Sequence, residues 1–171
     1  MTLVDDVRAL VADTDRAVVA MVVQRLPGEQ RATPPSITLD PTCGVIGDRW
    51  GEAAAPNPEA MVTLMRWDVA ALLAARAGVP VEILGDNLFA SLDTGASNLP
   101  PGTVLQIGGA RCVVTPKPHR GCNKFAARVG KDAWALTLSE EAAQLRGVHL
   151  RVLVPGEVAV GDIISVVSRP G

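Results

Sequence analysis

One stretch of the sequence concentrates the groups that could do chemistry. In KPHRGCNKF, residues 117–125, Cys122 stands among Lys117, His119, Arg120 and Lys124, with Arg128 about one helical turn beyond Lys124. Cations close to a sulfur favour the thiolate over the thiol, and a helix starting just after it would add the positive end of its dipole. A thiolate can donate to a soft or high-valent metal centre, or attack sulfane sulfur. The same cations suit the phosphate of an anionic cofactor, arginine by paired hydrogen bonds and lysine as a point charge. Gly121 leaves room for close backbone approach. The competing reading is a solvated basic loop carrying an incidental cysteine, since lone cysteines are usually inert.

The remaining candidates are weaker. Cys112 lies in the apolar run ARCVVT on the same face as Val114, which reads as core. Cys43 precedes the glycine-rich GVIGD segment; a structural role is favoured there too, although it could lie near a pocket. No pair of cysteines has C-x-x-C spacing, and His119 and His149 are far apart in the chain, so a zinc site is poorly supported. The dipeptide Gly-Asp occurs at 47–48, 85–86 and 161–162. Such pairs usually make turns, the glycine taking positive φ and the aspartate bonding nearby amides. Asp48 with Arg49, and Asp86 with Asn87, each follow a glycine where a side chain can be aimed at a ligand, whereas Gly161-Asp162 is read as a turn alone. Phosphate-loop, dinucleotide-fold and nucleophile-elbow patterns are missing from the sequence.

The elements that must position these groups are mostly short strands. Residues 3–12 place Leu3, Val7, Leu10 and Val11 at helical spacing. The β-branched run 17–25 predicts a central strand, and SITLD a second. GVIGDRWG is too glycine-punctuated for a long element, and Pro56 and Pro58 keep 52–60 a loop. VTLMRWD reads as a short strand leading into a helix, WDVAALLAARAG, with Asp68 as N-cap and Gly78 as its stop. From residue 81 the texture is β again: VEILGDNLF, then TVLQIG and ARCVVTP joined by a tight Gly-Gly hairpin. NKFAARVG and SEEAAQLR predict two further helices, the second capped by Ser139, and the tail from Gly147 reads as two strands around a Pro-Gly turn. Strands and turns recur at spacings typical of barrels and sandwiches.

The chain has 171 residues, enough for one domain with a sizeable core. Aromatics make up only 3% of it, so the core must be aliphatic, with Trp50, Trp67, Trp134, Phe89 and Phe125 as its few large pieces. A net charge of −2 gives no case for nucleic acid. No run is long and apolar enough for a signal peptide or a membrane span, so reduced thiols in the cytoplasm are expected.

Four stretches taken in order, GVIGDRWG (44–51), LGDNLF (84–89), LPPGTVLQIGGARCVVTP (99–116) with the downstream RGCNKF, and VPGEVAVGDIISVV (154–167), resemble the MOSC family, named from the C-terminal domain of molybdenum cofactor sulfurase. The resemblance spans roughly residues 15–168. It implies a mainly β fold, a MOSC-like β-barrel with a few peripheral α-helices, with residues 1–14 as an N-terminal helical extension and 15–171 as the MOSC domain. It further implies that Cys122 sits in a pocket, either ligating the molybdenum of a pterin cofactor or carrying sulfur as a persulfide. Asp48, Arg49, Asp86, Asn87, His119, Arg120 and Lys124 would then help to bind the cofactor. Small stand-alone bacterial members are linked to reduction of N-hydroxylated compounds, including toxic base analogues. That activity would need a separate electron-donor reductase, since this chain has no flavin, haem or iron–sulfur motif; the carrier role would need a cysteine desulfurase and a sulfur acceptor. Pyridoxal phosphate belongs to another, larger domain of the multidomain relatives and is not expected here. Two positions depart from the family pattern: Arg49-Trp50 stands where many members have a histidine soon after the first Gly-Asp, and Gly121-Cys122 where they often have proline-cysteine. A third, non-catalytic reading is a partner-binding module, using the loop at 27–35 or the N-terminal helix. Neither membrane nor nucleic acid is expected as a partner.

Overall fold

The computed structural model describes residues 2–138 and 144–171. Seven strands close into a barrel: β1 (Arg16–Val22), β12 (Ile163–Ser168), β8 (Val104–Ile107), β9 (Ala110–Val114), β10 (Gly147–Val154), β6 (Val62–Arg66) and β7 (Leu88–Ala90), the last pairing back onto β1. All neighbours are antiparallel except β6 and β7. Their alternating side chains explain the closure. Val19, Leu64, Leu88, Leu105, Ile107, Cys112, Leu150 and Ile164 share one buried aliphatic cluster, which a closed sheet covers without free edges. A register shift in β1 between Val19 and Met21 lets both Val19 and Val22 be buried although they stand three positions apart, which in a regular strand would put them on opposite faces.

Two small sheets lie beside the barrel. β4 (Ser36–Asp40) pairs with both β5 (Gly44–Val45) and β11 (Gly156–Ala159), while β2 (Gln24–Arg25) pairs with β3 (Arg31–Ala32). Helices α1 (Leu3–Ala9), α2 (Trp67–Ala77), α3 (Asn123–Val129) and α4 (Lys131–Leu136) cover the outside. There Val7, Leu73, Phe125 and Leu136 build a second core with Met65 and Phe89. The two phenylalanines are buried, while the three tryptophans are only partly so, at the edges of the clusters.

Several expectations from the sequence are corrected. The run 17–25 is not one strand: Val23 N–H donates to the Asn87 carbonyl (2.7 Å), and the chain then leaves the barrel to form the β2–β3 hairpin. Residues 81–84 form a 3₁₀ turn rather than strand, because parallel pairing of β7 with β6 needs a crossover, supplied by α2 and this turn. Asp68 is not the N-cap of α2. Arg66 holds that place because β6 runs directly into the helix, and Asp68 in the first turn accepts from its guanidinium (3.0 and 2.5 Å). The tail is three strands, not two: Pro155 has no N–H to continue a ladder, and the chain passes from β10 to the outer sheet as β11 before re-entering the barrel as β12. The helix expected from Ser139 falls largely on residues 139–143, outside those described. Among the described residues, no helix is long and apolar enough to cross a membrane.

Candidate functional site

One end of the barrel is polar. The rung Val22–Leu88–Leu64–Val148 is apolar, and the next rung outward is Val23, Asn87, Thr63, His149 and Thr115, one residue from each of five adjacent strands or their continuations. Asn87 ties this rung together. Its Oδ1 accepts from Thr63 N–H (3.2 Å), and its Nδ2 donates to the Val23 carbonyl (3.2 Å) and to Asp48 Oδ2 (2.9 Å). A buried amide with every group bonded rigidifies what it joins.

Above this rung, two buried carboxylates hold the walls. Asp48 accepts from Arg25 Nε (3.0 Å) and Nη2 (2.9 Å), from the Arg25 backbone N–H (2.8 Å) and from Trp50 N–H (2.9 Å). Burial alone would raise its pKa; Arg25 outweighs burial and holds the carboxyl below the usual range. Asp86, wholly buried, bonds His119 Nε2 through Oδ1 and Arg146 Nη2 through Oδ2 (2.7 Å). Burial again opposes ionisation, and the charge of Arg146 overrides it. The Arg146 guanidinium also lies over the Phe125 ring, 4.1 Å from its centroid. Both aspartates follow a left-handed glycine, Gly47 (φ 82°) and Gly85 (φ 95°), as the turn reading expects, and each carboxylate is turned onto a neighbouring cationic side chain. At the third pair, Gly161 (φ 93°), the Asp162 carboxylate accepts from Ala159 N–H (2.8 Å) within its own turn.

His119 and His149, distant in sequence, are adjacent here, with ring centroids 4.5 Å apart. Chain distance hid this, because the ladder step Thr115 N–H to the His149 carbonyl (3.0 Å) brings the 115–122 loop over β10. Burial, reinforced by Arg146, lowers the pKa of His119; burial and the cations around it push His149 down to about 3. Both rings are therefore neutral near pH 7. With Asp86 ionised, His119 must donate from Nε2, which leaves Nδ1 a lone-pair acceptor. Both Nδ1 atoms are buried without a protein partner. Among the described residues, no group of three or more His, Cys, Asp or Glu could hold a metal ion by itself.

These residues frame a hollow of about 170 Å³. Cys122, exposed, stands on its wall as the N-cap residue of α3. Arg49, His119, Arg120, Lys124 and Arg128 line it too, so six of the positions singled out in the sequence converge, whereas Lys117 does not line it. Asp48, Asp86 and Asn87 stand behind the wall, bonded to the groups that form it. The sequence reading missed Arg25, Arg31 and Arg146 as wall cations, and Glu29, which bonds wall cations without lining the hollow itself. Glu29 accepts from Arg49 Nη1 (3.0 Å), Lys124 Nζ and Arg128 Nη2; hydrogen bonds first from Lys124 and then from Arg49 bring its pKa down to about 2. Seven cations thus line the hollow and three carboxylates bond to them. Nε and Nη2 of Arg31 and Nε of Arg146 are buried with no partner, which marks a shortage of acceptors. Gly85 is what lets two guanidiniums approach here: a Cβ would lie 3.3 Å from Arg128 Nη1 and 3.6 Å from Arg31 Nη2.

The other thiols differ. Cys112 faces the barrel interior, and burial pushes it up to about 12. Cys43 Sγ lies 3.7 Å from Asp40 Oδ1, away from the hollow; burial raises its pKa, and Asp40 adds to the effect. Position 121 is tightly clamped, since Gly121 N–H donates to Thr137 Oγ1 (2.7 Å) and its carbonyl accepts from Trp134 Nε1 (3.0 Å). A Cβ there would fall 2.6 Å from the Phe125 ring, which accounts for glycine before the cysteine.

Comparison with known proteins adds the following. Residues 54–165 match the family described as the MOSC domain. No curated protein matches the chain. Among solved structures, the YuaD protein from Bacillus subtilis is similar in fold, with 18% identity, a TM-score of 0.67, and coverage of 91% of this chain and 97% of that one. YiiM from Geobacillus stearothermophilus has 15% identity and a TM-score of 0.61, covering 93% of this chain and 76% of that one. YiiM from Escherichia coli has 19% identity and a TM-score of 0.57, covering 88% and 71%. Cys122, Asp86, His119 and Arg146 fall inside the matched segment; Arg25, Glu29, Arg31, Asp48 and Arg49 precede it.

Proposed function

The chain belongs to the MOSC domain family, and on that premise we propose that it binds a molybdenum–pterin cofactor through Cys122 and reduces N-hydroxylated small molecules. The observation that carries this reading is an exposed thiol on the wall of a hollow whose cations outnumber their carboxylate partners. The donor set fits the cofactor's chemistry: a sulfur ligand for molybdenum, and guanidiniums with unpartnered N–H groups for an anionic group. At about 170 Å³ the hollow is smaller than the roughly 300–1,000 Å³ usual for a whole ligand, so it takes one end of a pterin-sized molecule, and its charge selects the anionic end.

When bound, the cofactor supplies a two-electron redox centre. Overall, the substrate R–NH–OH takes up two electrons and two protons, its N–O bond breaks, and an amine and water leave. The electrons come from a separate reductase. In this reading Arg31, Arg49, Lys124 and Arg128 bind the anionic group. The lone pair on His119 Nδ1, oriented by Asp86, accepts a hydrogen bond from the substrate's N–H or O–H, and Arg146 fixes Asp86. Protein purified without refolding from a host that makes the cofactor is expected to carry molybdenum and pterin, both lost on Cys122→Ala. Metal-free parent protein from such a host would overturn the reading.

The exposure of Cys122 also favours a second reading, a persulfide carrier. Its sulfur would attack the sulfane sulfur of a desulfurase persulfide, forming an S–S bond at Cys122 and releasing the desulfurase thiolate. The expected result is a one-sulfur mass gain at Cys122 after incubation with a cysteine desulfurase and cysteine; an unmodified Cys122 would end it.

A further inference from the structure

Glu29 does not itself line the hollow, yet it is a solvent-exposed acid from outside the matched segment that is bonded to three of the hollow's cations. It sits at the tip of the β2–β3 hairpin, whose ladder has only two residue pairs. Both tip residues have left-handed backbone, Gly28 at φ 68° and Glu29 at φ 63°, a conformation that a side chain other than glycine rarely takes. The tip is folded so that one carboxylate spans two elements: Oε1 accepts from Arg49 and Lys124, and Oε2 from Arg128 of α3.

One carboxylate is too little for this cluster. Arg31, beside Arg128 at Gly85, keeps Nε and Nη2 buried and unpartnered, and burial together with the charges of Arg128 and Arg49 lowers its pKa. Glu29 brings one negative charge and two oxygens. A phosphate brings close to two charges and three free oxygens, which match forked guanidinium donors better.

We propose that Glu29 is a tethered stand-in for the anionic group of the ligand: it fills the outer anion subsite formed by Arg49, Lys124 and Arg128, and a phosphate-bearing ligand binds by displacing it and engaging Arg31 as well. The hairpin tip then swings out, which also enlarges the hollow. This rests on the reading above only in that the hollow takes an anionic ligand; it does not depend on molybdenum.

The test is calorimetric titration of the full chain and of Glu29→Gln with inorganic pyrophosphate. Removing the competing charge is expected to tighten binding by about tenfold. On pyrophosphate addition to the parent chain, amide hydrogen exchange over residues 26–32 is expected to rise as the tip is released. Equal or weaker binding by Glu29→Gln, no binding by either protein, or increased protection of 26–32 would each overturn the proposal. Molybdenum analysis is a separate axis. A metal-free chain that still shows the Glu29→Gln gain sinks only the cofactor reading, and a molybdenum-bearing chain without the gain sinks only this one.

Discussion

The barrel interior and the polar end above it are built from adjacent rungs of the same strands, yet they solve opposite problems. Inside, Cys112 lies level with Leu105 and Val152, and its thiol is held neutral by dry surroundings. One rung beyond the apolar layer, Asp86, Arg146, His119 and His149 are nearly as buried, but each is polar and most are bonded. The interior can tolerate exchange among apolar shapes. The polar end cannot lose one partner without stranding another. Both layers thus contribute to stability, by packing inside and by paired charges above, while ligand chemistry belongs to the polar layer alone.

The largest effect is expected at the polar end. Asp86→Asn leaves Arg146 buried without its counter-charge, which should cost about 3–5 kcal/mol in urea unfolding; a loss below about 1 kcal/mol would show that the two layers do not differ as described. In the interior, Leu64→Ala should cost about 3 kcal/mol through the cavity it opens, while leaving pyrophosphate affinity unchanged. A matching loss of affinity would mean the layers are coupled.

Acid should separate the layers more gently. The folded pKa values of His119 and His149 lie below the ordinary 6.5, that of His149 at about 3. Their contribution to stability is therefore complete above about pH 6.5 and is lost as pH falls toward the folded values, because the unfolded chain takes up protons first. Unfolding free energy should decline by up to about 1.4 kcal/mol per pH unit for each histidine across that window, and His149→Gln should flatten the slope. The smallest effect is expected at Cys122. Cys122→Ser should change stability by less than about 0.5 kcal/mol, and a thiol reagent should label Cys122 in the native protein but reach Cys112 only on unfolding.

What the sequence allowed to be read follows the same division. Strand periodicity exposed the barrel because Ala110, Cys112 and Val114 alternate with outward residues, and the local cluster around Cys122 was visible because His119, Arg120 and Lys124 lie close to it in the chain. Arg25, Arg31, Glu29 and Arg146 were not visible as site residues, since single charges in a loop or beside a strand carry no periodic signal. Only the closure of the barrel brings them to Cys122. The adjacency of His119 and His149 was hidden for the same reason. Arg66 at the start of α2 shows a different limit: a strand running straight into a helix needs no capping residue, so the cap signal at Asp68 misled by two positions.

The seam of the barrel joins the two extremes of the fold, since β1 is hydrogen-bonded to β12 on one side and to β7 on the other. During synthesis, β1 must wait for nearly the whole domain to emerge before its second edge is covered. Until then the nascent chain displays an open, aliphatic ribbon of the kind that invites aggregation. Completion of this barrel is therefore governed by long-range pairing that waits for β12.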